Sequence, residues 1–515
     1  MLSISGTVHG SRRHRQGSGS ARSKTPCTMV MAAAVFIWAV AVAAPGLAIE
    51  MEVDDTDVST ALTTELLIDE AVDANRISVT TNDGIVTLEG SVATILEKER
   101  PARIAETIVG VRGVVNRITV MPSGRTDAEI DDAVRAALLG DPATEAYEVE
   151  ASIDQGMVTL TGSVDSWQEK KLCTTVTKSV KGVRGVTNRI SVSAAATRPD
   201  DEIEAEIEAR LANDVLVDAA LIDVEVDGAE VVLTGATGSL AEKNRAVADA
   251  WVGGVTSVDA DALEIKWWAR DSMRRTSLYV SRTDEEIERA VRDAFLYDPR
   301  VLFFNPDVEV SGGTVTLTGV VGNLQARAAA EEDARNVTGV WRVRNFLKVR
   351  PGTVPPDDEL EARVSEALVD DPRVDRFEIT VDAYRGTVSL SGTVNNSFEK
   401  DRAGRVAGRI GGVVEVVNNL EFQHRWVWKP DWEIREDIKD QLWWSTFVDA
   451  DEIDVTVDDG VATLRGFVDS WSELTAAEKN AYEGGAKDVE NELVVSYRAY
   501  GPPYGPGGRL LSPWF

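Results

Sequence analysis

One short phrase recurs six times along the chain and dictates how the chain can fold. VTLEG ends at Gly90, VTLTG at Gly162, VVLTG at Gly235, VTLTG at Gly319, VSLSG at Gly392 and ATLRG at Gly466. Successive glycines lie 72, 73, 84, 73 and 74 residues apart, so a period near 73 is broken once, around Trp267 to Arg282. Self-similarity at a fixed period means an array of one small unit, each copy with its own modest core.

The flanking residues define that unit. A second glycine stands six residues earlier, at Gly84, Gly156, Gly313, Gly386 and Gly460, with Gly228 displaced by one. Each follows an alternating run such as Ile77-Ser78-Val79. Two strands and a glycine turn make a hairpin. Four residues past the reference glycine come the helix-capping types Thr94, Ser166, Ser239, Asn323, Asn396 and Ser470. Three further on stand Glu97, Glu169, Glu242, Ala326, Glu399 and Glu473, so five copies carry the capping-box pattern. There the cap oxygen accepts from an early helix N–H and the glutamate reaches back to the cap, a backbone role that makes these glutamates poor catalytic candidates.

Upstream, apolar residues every four positions, as in Ile130, Val134, Leu138 and Ile434, Ile438, Leu442, predict an amphipathic helix. Downstream, Gly-Val pairs such as Gly110-Val111 precede Asn116, Asn188, Asp261, Asn345, Asn418 and Asn491 at the entry to a last strand. The fold class is therefore α+β: tandem αββαβ modules, each a small three-stranded mixed sheet with two helices packed on one face. The expected boundaries are 54–122, 123–196, 197–266, 283–352, 353–424 and 428–498, with a linker at 267–282 and a flexible Gly/Pro-rich tail at 499–515. Units of about 70 residues are marginal alone, so packing between modules is expected.

VTLTGSV (Val158 to Val164), the capped helix after it and GVRGVTNRISV (Gly182 to Val192) together resemble the BON (bacterial OsmY and nodulation) domain family, and the match repeats over about Asp54 to Val495, nearly all of the chain past the leader. The third copy departs at Asp261, and the sixth reads Gly485-Ala486-Lys487 in place of Gly-Val-Arg. The resemblance implies attachment to phospholipid surfaces, envelope maintenance under osmotic or other stress, and in some members self-assembly or docking to envelope proteins. It implies no catalytic residues and no cofactor.

Residues 1–48 read as a cleaved export signal. The basic segment Arg12 to Lys24 precedes the apolar run Met29 to Ala44, and Gly46 and Ala48 suit cleavage after Ala48, giving a periplasmic or otherwise exported protein with or without membrane association. That run is shorter than the ~20 residues of a spanning helix. The whole chain carries −32, and the leader holds five basic and no acidic residues, which leaves −37 on the remainder. Such a field repels nucleic acid and anionic lipid, so no nucleic-acid partner is expected, and a lipid site needs a local basic patch. Past the leader one histidine, His424, and one cysteine, Cys173, remain, which excludes an internal disulfide, a zinc cluster and a histidine triad within the chain. The chemistry points to a binding protein and not an enzyme, and linked weak modules would gain avidity.

Two groups are candidate ligand contacts. Arg112, Arg117, Arg184, Arg189, Arg342 and Arg344 recur around the last loop and strand. They either offer forked donors to phosphate or carboxylate groups or pair with acidic helices of the same or next module. Trp267, Trp268, Trp443 and Trp444 gather near the linker and in the sixth module, where aromatic rings serve a membrane interface or cover a junction between modules. Phospholipid head groups are the first ligand class, and a structural or chaperone-like scaffold binding envelope proteins without lipid is the alternative.

Overall fold

Each module begins with a helix that holds down the hairpin turn following it. The computed structural model describes residues 53–69, 71–121, 124–144, 148–193, 198–266, 269, 282–374, 379–422 and 428–495. The leader, the tail and most of the expected linker lie outside the described residues. In module 1 the helix Asp55–Ile68 leads to the hairpin Ile77–Asn82 and Ile85–Val92, the helix Ile95–Glu106 and a third strand in two pieces, Gly113–Asn116 and Thr119–Val120. The hairpin is antiparallel and the third strand runs parallel to the central one. The same order repeats in the other five modules, with a continuous third strand in module 5 (Glu415–Phe422) and module 6 (Asp488–Val495). The protein is α+β, with each core closed between the sheet and its helices. In module 1, Val58, Leu62 and Leu66 meet Val86, Leu88, Ile104 and Ile118.

The recurrent residues are explained by backbone needs. Gly90 and Gly162 have φ of 150° and 130°, and a Cβ there would stand 2.0 and 2.1 Å from the carbonyls of Arg76 and Glu148. Every second helix is capped as the pattern requires, for example Glu97 N–H to Thr94 Oγ1 at 3.1 Å. The glutamate carboxylate reaches one residue further back than a standard capping box in most copies: it accepts from Ala93, Gly238, Asn395 and Asp469 N–H. In module 2, Glu169 accepts from both Asp165 and the cap, Ser166. The late asparagines are clamps: Asn188 Nδ2 donates to Lys170 O at 2.8 Å while its Oδ1 accepts Ile190 N–H at 2.9 Å. Asp261 cannot donate in that way, and Lys243 Nζ bonds Leu263 O at 2.7 Å in module 3.

The six modules form one compact unit. Its principal seams join modules far apart in sequence. Val109 N–H donates to Trp444 O at 3.2 Å and Thr446 N–H to Thr107 O at 3.0 Å, joining module 1 to module 6. Thr338 N–H donates to Asn213 O at 2.8 Å and Val215 N–H to Asn336 O at 2.9 Å, joining module 4 to module 3. Lys181 N–H donates to Asp370 O at 2.7 Å, joining module 2 to module 5. Pro372 stands where the other seams have Thr446 and Val215, so this third seam loses one donor. An Arg125–Asp370 ion pair at 2.6 Å supports it instead. The chain thus doubles back, first with last, second with fifth, third with fourth. Modules 1, 2 and 3 also touch one another, through Lys178–Glu99 (2.5 Å), Trp167 stacked on Trp251 (5.4 Å), and Leu240 against the module 1 core.

Candidate functional site

The third strand of module 4 carries a basic stripe. It runs over Arg342–Asn345 and Lys348–Val349, pairing Arg342 with Thr314, Arg344 with Thr316 and Lys348 with Val320. Alternation along a strand places Arg342, Arg344, Phe346, Lys348 and Arg350 on the side exposed to solvent, while Leu347 is buried. Trp341 leads the stripe, and the Arg342 guanidinium lies 5.6 Å from its ring. Trp341 is 42% and Phe346 62% exposed, large apolar surfaces beside cations. Among the described residues Arg344, Lys348 and Arg350 make no side-chain hydrogen bond or ion pair. Among the corresponding exposed positions, module 5 has Glu415 and Glu421 beside Val417 and Asn419, and module 6 has Asp488, Glu490 and Glu492 beside Val494. On module 4's own sheet, Asp307 and Glu309 occupy the opposite outer strand, with threonines between.

The other candidate residues are dispersed. Arg117 pairs with Glu89 at 3.2 Å, and Arg184 donates to Val120 O in module 1 and to Gln155 O, both at 3.1 Å. Arg112 folds its methylenes over Gly84, and Arg189 is exposed on module 2. Trp444 packs against the module 1 core, edge-on to Trp443 at 4.7 Å, so it belongs to a seam. Trp443 is 39%, Trp432 64% and Trp428 72% exposed near or on the first helix of module 6, which also exposes Arg435 and Lys439. Trp267 and Trp268 lie outside the described residues. Phe346, Lys348 and Arg350 were missed because their alternation with Arg342 and Arg344 acquires meaning only once the strand's register is known.

Cys173 is fully buried in the second helix of module 2, and burial pushes its thiol up to about 12, leaving it unreactive at neutral pH. Among the described residues no group of three or more His, Cys, Asp or Glu could hold a metal ion, and no helix is long and apolar enough to cross a membrane.

The seam between modules 3 and 4 is polar. Arg210 lies 3.9 Å from the Tyr297 ring centroid and bonds Asp249 at 3.0 Å, Arg245 pairs with Asp214, and Arg300 pairs with Asp298 at 2.5 Å. Asp333 Oδ2 is buried without a hydrogen-bond partner. Burial, then Asp298, raises its carboxyl well above the usual range, with Glu332 adding to the effect and Arg300 and Arg245 opposing it. A carboxyl raised in the folded state contributes stability that is complete below the ordinary carboxylate range and is lost as pH rises through the raised value. Asp333→Asn should therefore stabilise the protein by about 1–3 kcal/mol at pH 8 and change little at pH 4. Thermal unfolding at the two pH values checks this, and equal shifts at both would refute it.

A family comparison matches the BON domain at residues 54–122, 126–194, 199–266, 283–351, 356–424 and 430–497. The chain is 28% identical over 185 residues to Osmotically-inducible protein Y of Escherichia coli K12, covering 35% of this chain and 92% of that protein. It is 30% identical over 144 residues to the Outer membrane lipoprotein DolP of Haemophilus influenzae, covering 27% of this chain and 74% of that protein. A solved structure of CdsD, a structural protein of the Type III secretion system of Chlamydia trachomatis, is similar over 36% of this chain and 83% of its own, at 17% identity and a TM-score of 0.12. With all six repeats matched, the chain belongs to the BON-domain family.

Proposed function

We propose that this protein is an exported, non-enzymatic binding protein of the bacterial envelope that docks on anionic phospholipid head groups through module 4. The basic, aromatic-flanked strand Trp341 to Arg350 carries this reading. Guanidinium groups fork onto phosphate oxygens, and exposed aromatic rings favour the boundary between head groups and acyl chains. A local cluster is what a strongly acidic protein needs to approach an anionic surface. Relatives named for osmotic induction and for the outer membrane support an envelope setting and a role in osmotic or envelope stress. The acidic strands of modules 5 and 6 favour one oriented contact over equal engagement of all six modules. Trp428, Trp432 and Trp443 offer a second contact beside Arg435 and Lys439.

Co-sedimentation with anionic and with zwitterionic vesicles over a salt series tests the reading. Each basic residue near an anionic surface is worth about 1 kcal/mol, so Arg342→Glu with Arg344→Glu should weaken binding roughly a hundredfold. Binding that is indifferent to this double reversal would overturn the assignment. Capture of envelope proteins without vesicle binding would favour the protein scaffold.

A further inference from the structure

Where modules 2, 4 and 5 meet, the structure forms a half-open cavity of about 820 Å³. Ala136 and Leu139 line one wall from the first helix of module 2, with Val180 behind them, and Phe304 and Ile410 contribute from modules 4 and 5. The connector Pro351 to Pro355 borders it. Arg409, near the end of the second helix of module 5, supplies a cation to the lining.

Arg409 differs from the charged residues around it. The carboxylates near it have other partners: Asp371 pairs with Arg402 at 2.7 Å, Asp370 pairs with Arg125 at 2.6 Å, and Asp141 accepts from Ala143 N–H at 2.9 Å. Among the described residues the Arg409 guanidinium makes no hydrogen bond or ion pair, so its five N–H donors are available. Burial, then Arg402, pull its pKa down, with Asp141 and Asp371 opposing and Arg405 adding to the effect, so burial and like charges outweigh the nearby carboxylates.

We propose that this cavity binds a single-chain anionic amphiphile, its chain along the Ala136, Leu139, Val180, Phe304 and Ile410 surfaces and its carboxylate or phosphate head on Arg409. The volume falls within the roughly 300–1,000 Å³ typical of small-molecule sites. The lining also holds Arg363 and the carboxylates Asp141, Glu366, Asp370 and Asp371, but its apolar walls beside the forked donor of Arg409 suit a chain ending in an anion, because the chain leaves water while the head satisfies the guanidinium. The site shares no residue with the basic stripe that ends at Arg350, although the connector beginning at Pro351 borders it, and it stands whether or not the protein binds vesicles.

Isothermal titration of the full chain with dodecanoate and dodecyl phosphate, each below its micelle concentration, tests this. Saturable one-site binding of at least one is expected, and the tighter of the two identifies the head group. Decanoate should bind about tenfold more weakly than dodecanoate for its two missing methylenes. Inorganic phosphate and dodecyltrimethylammonium should be silent. Arg409→Gln should weaken binding at least tenfold, and Ala136→Trp, at an exposed helical position on the cavity wall, should abolish it while the protein stays folded by circular dichroism. Absence of saturable binding to either anion, or unchanged binding by both variants, would overturn the proposal.

Discussion

Trp444→Ala is expected to open the seam between the first and last modules, at a local cost of about 3 kcal/mol, the lower end for truncating a large aromatic because the ring is half-buried. Its indole packs on the module 1 core and leans edge-on against Trp443. Two backbone hydrogen bonds flank it, Val109 N–H to Trp444 O and Thr446 N–H to Thr107 O. Across the same seam Lys479 stands 3.8 Å from Glu65, and burial, then Glu483, raise the Glu65 carboxyl to about 7. Amide exchange reads the result directly. Val109 and Thr446 should lose protection by roughly a hundredfold, while Thr338 and Val215, donors in the seam between modules 3 and 4, keep theirs. Equal loss at both seams would mean that the compact unit opens as a whole. No loss at either would remove Trp444 from the structural account. Because Glu65 is raised, the first seam should also tighten as pH falls from about 7 toward the ordinary carboxylate range, and Glu65→Gln should flatten that dependence.

The module was legible in the sequence because its constraints are local and repeat. Reference glycines, caps and clamp asparagines each answer a backbone requirement within a single unit. One regular device escaped notice: an aspartate at the start of every first helix that accepts hairpin-turn N–H groups 28 or 29 residues later. Asp127 does so from Gln155 and Gly156, both at 2.9 Å, and Asp55, Asp200, Asp284, Asp357 and Asp431 do the same in the other modules. These acids sit among many on a solvated helix and have no local distinguishing mark. The seams were illegible for a stronger reason. They are made largely by main-chain groups of Asn213, Lys181 and Val109, and a backbone N–H leaves no trace in residue type. The arginine candidates show the limits of counting charges. Arg117 and Arg184 are committed to Glu89 and to carbonyls, whereas Arg342 and Arg344 gain weight from Lys348 and Arg350, which follow them at strand spacing.

Removing Arg402 should expose the logic by which unlike modules are paired. In modules 1, 3 and 5 an arginine on the second helix holds the aspartate after the first helix: Arg100–Asp69, Arg245–Asp214 and Arg402–Asp371. Modules 2, 4 and 6 have Leu172, Ala329 and Ala476 at the arginine position. Since the seams join 1 to 6, 3 to 4 and 5 to 2, each seam receives one arginine-bearing module and one without. Two such guanidinium groups facing across a seam would repel at short range, whereas one can also serve the partner's acids, as Arg245 does toward Asp333. The Arg402–Asp371 pair is the most enclosed of the three, with side chains 12% and 3% exposed. Arg402→Ala leaves the Asp371 carboxylate buried without its cation, at a cost of about 3–5 kcal/mol. The slowest amides of the helix Ser397–Gly408 should then exchange at least a hundredfold faster. Module 6 already contains the compensated form, with Ser445 in place of the aspartate and Ala476 in place of the arginine. The double replacement Arg402→Ala with Asp371→Ser should therefore recover most of the lost protection, because it removes the stranded charge and retains a small polar group. If the double variant is as unprotected as the single one, the arginine acts by packing and not by neutralising Asp371, and the alternation between odd and even modules needs another cause.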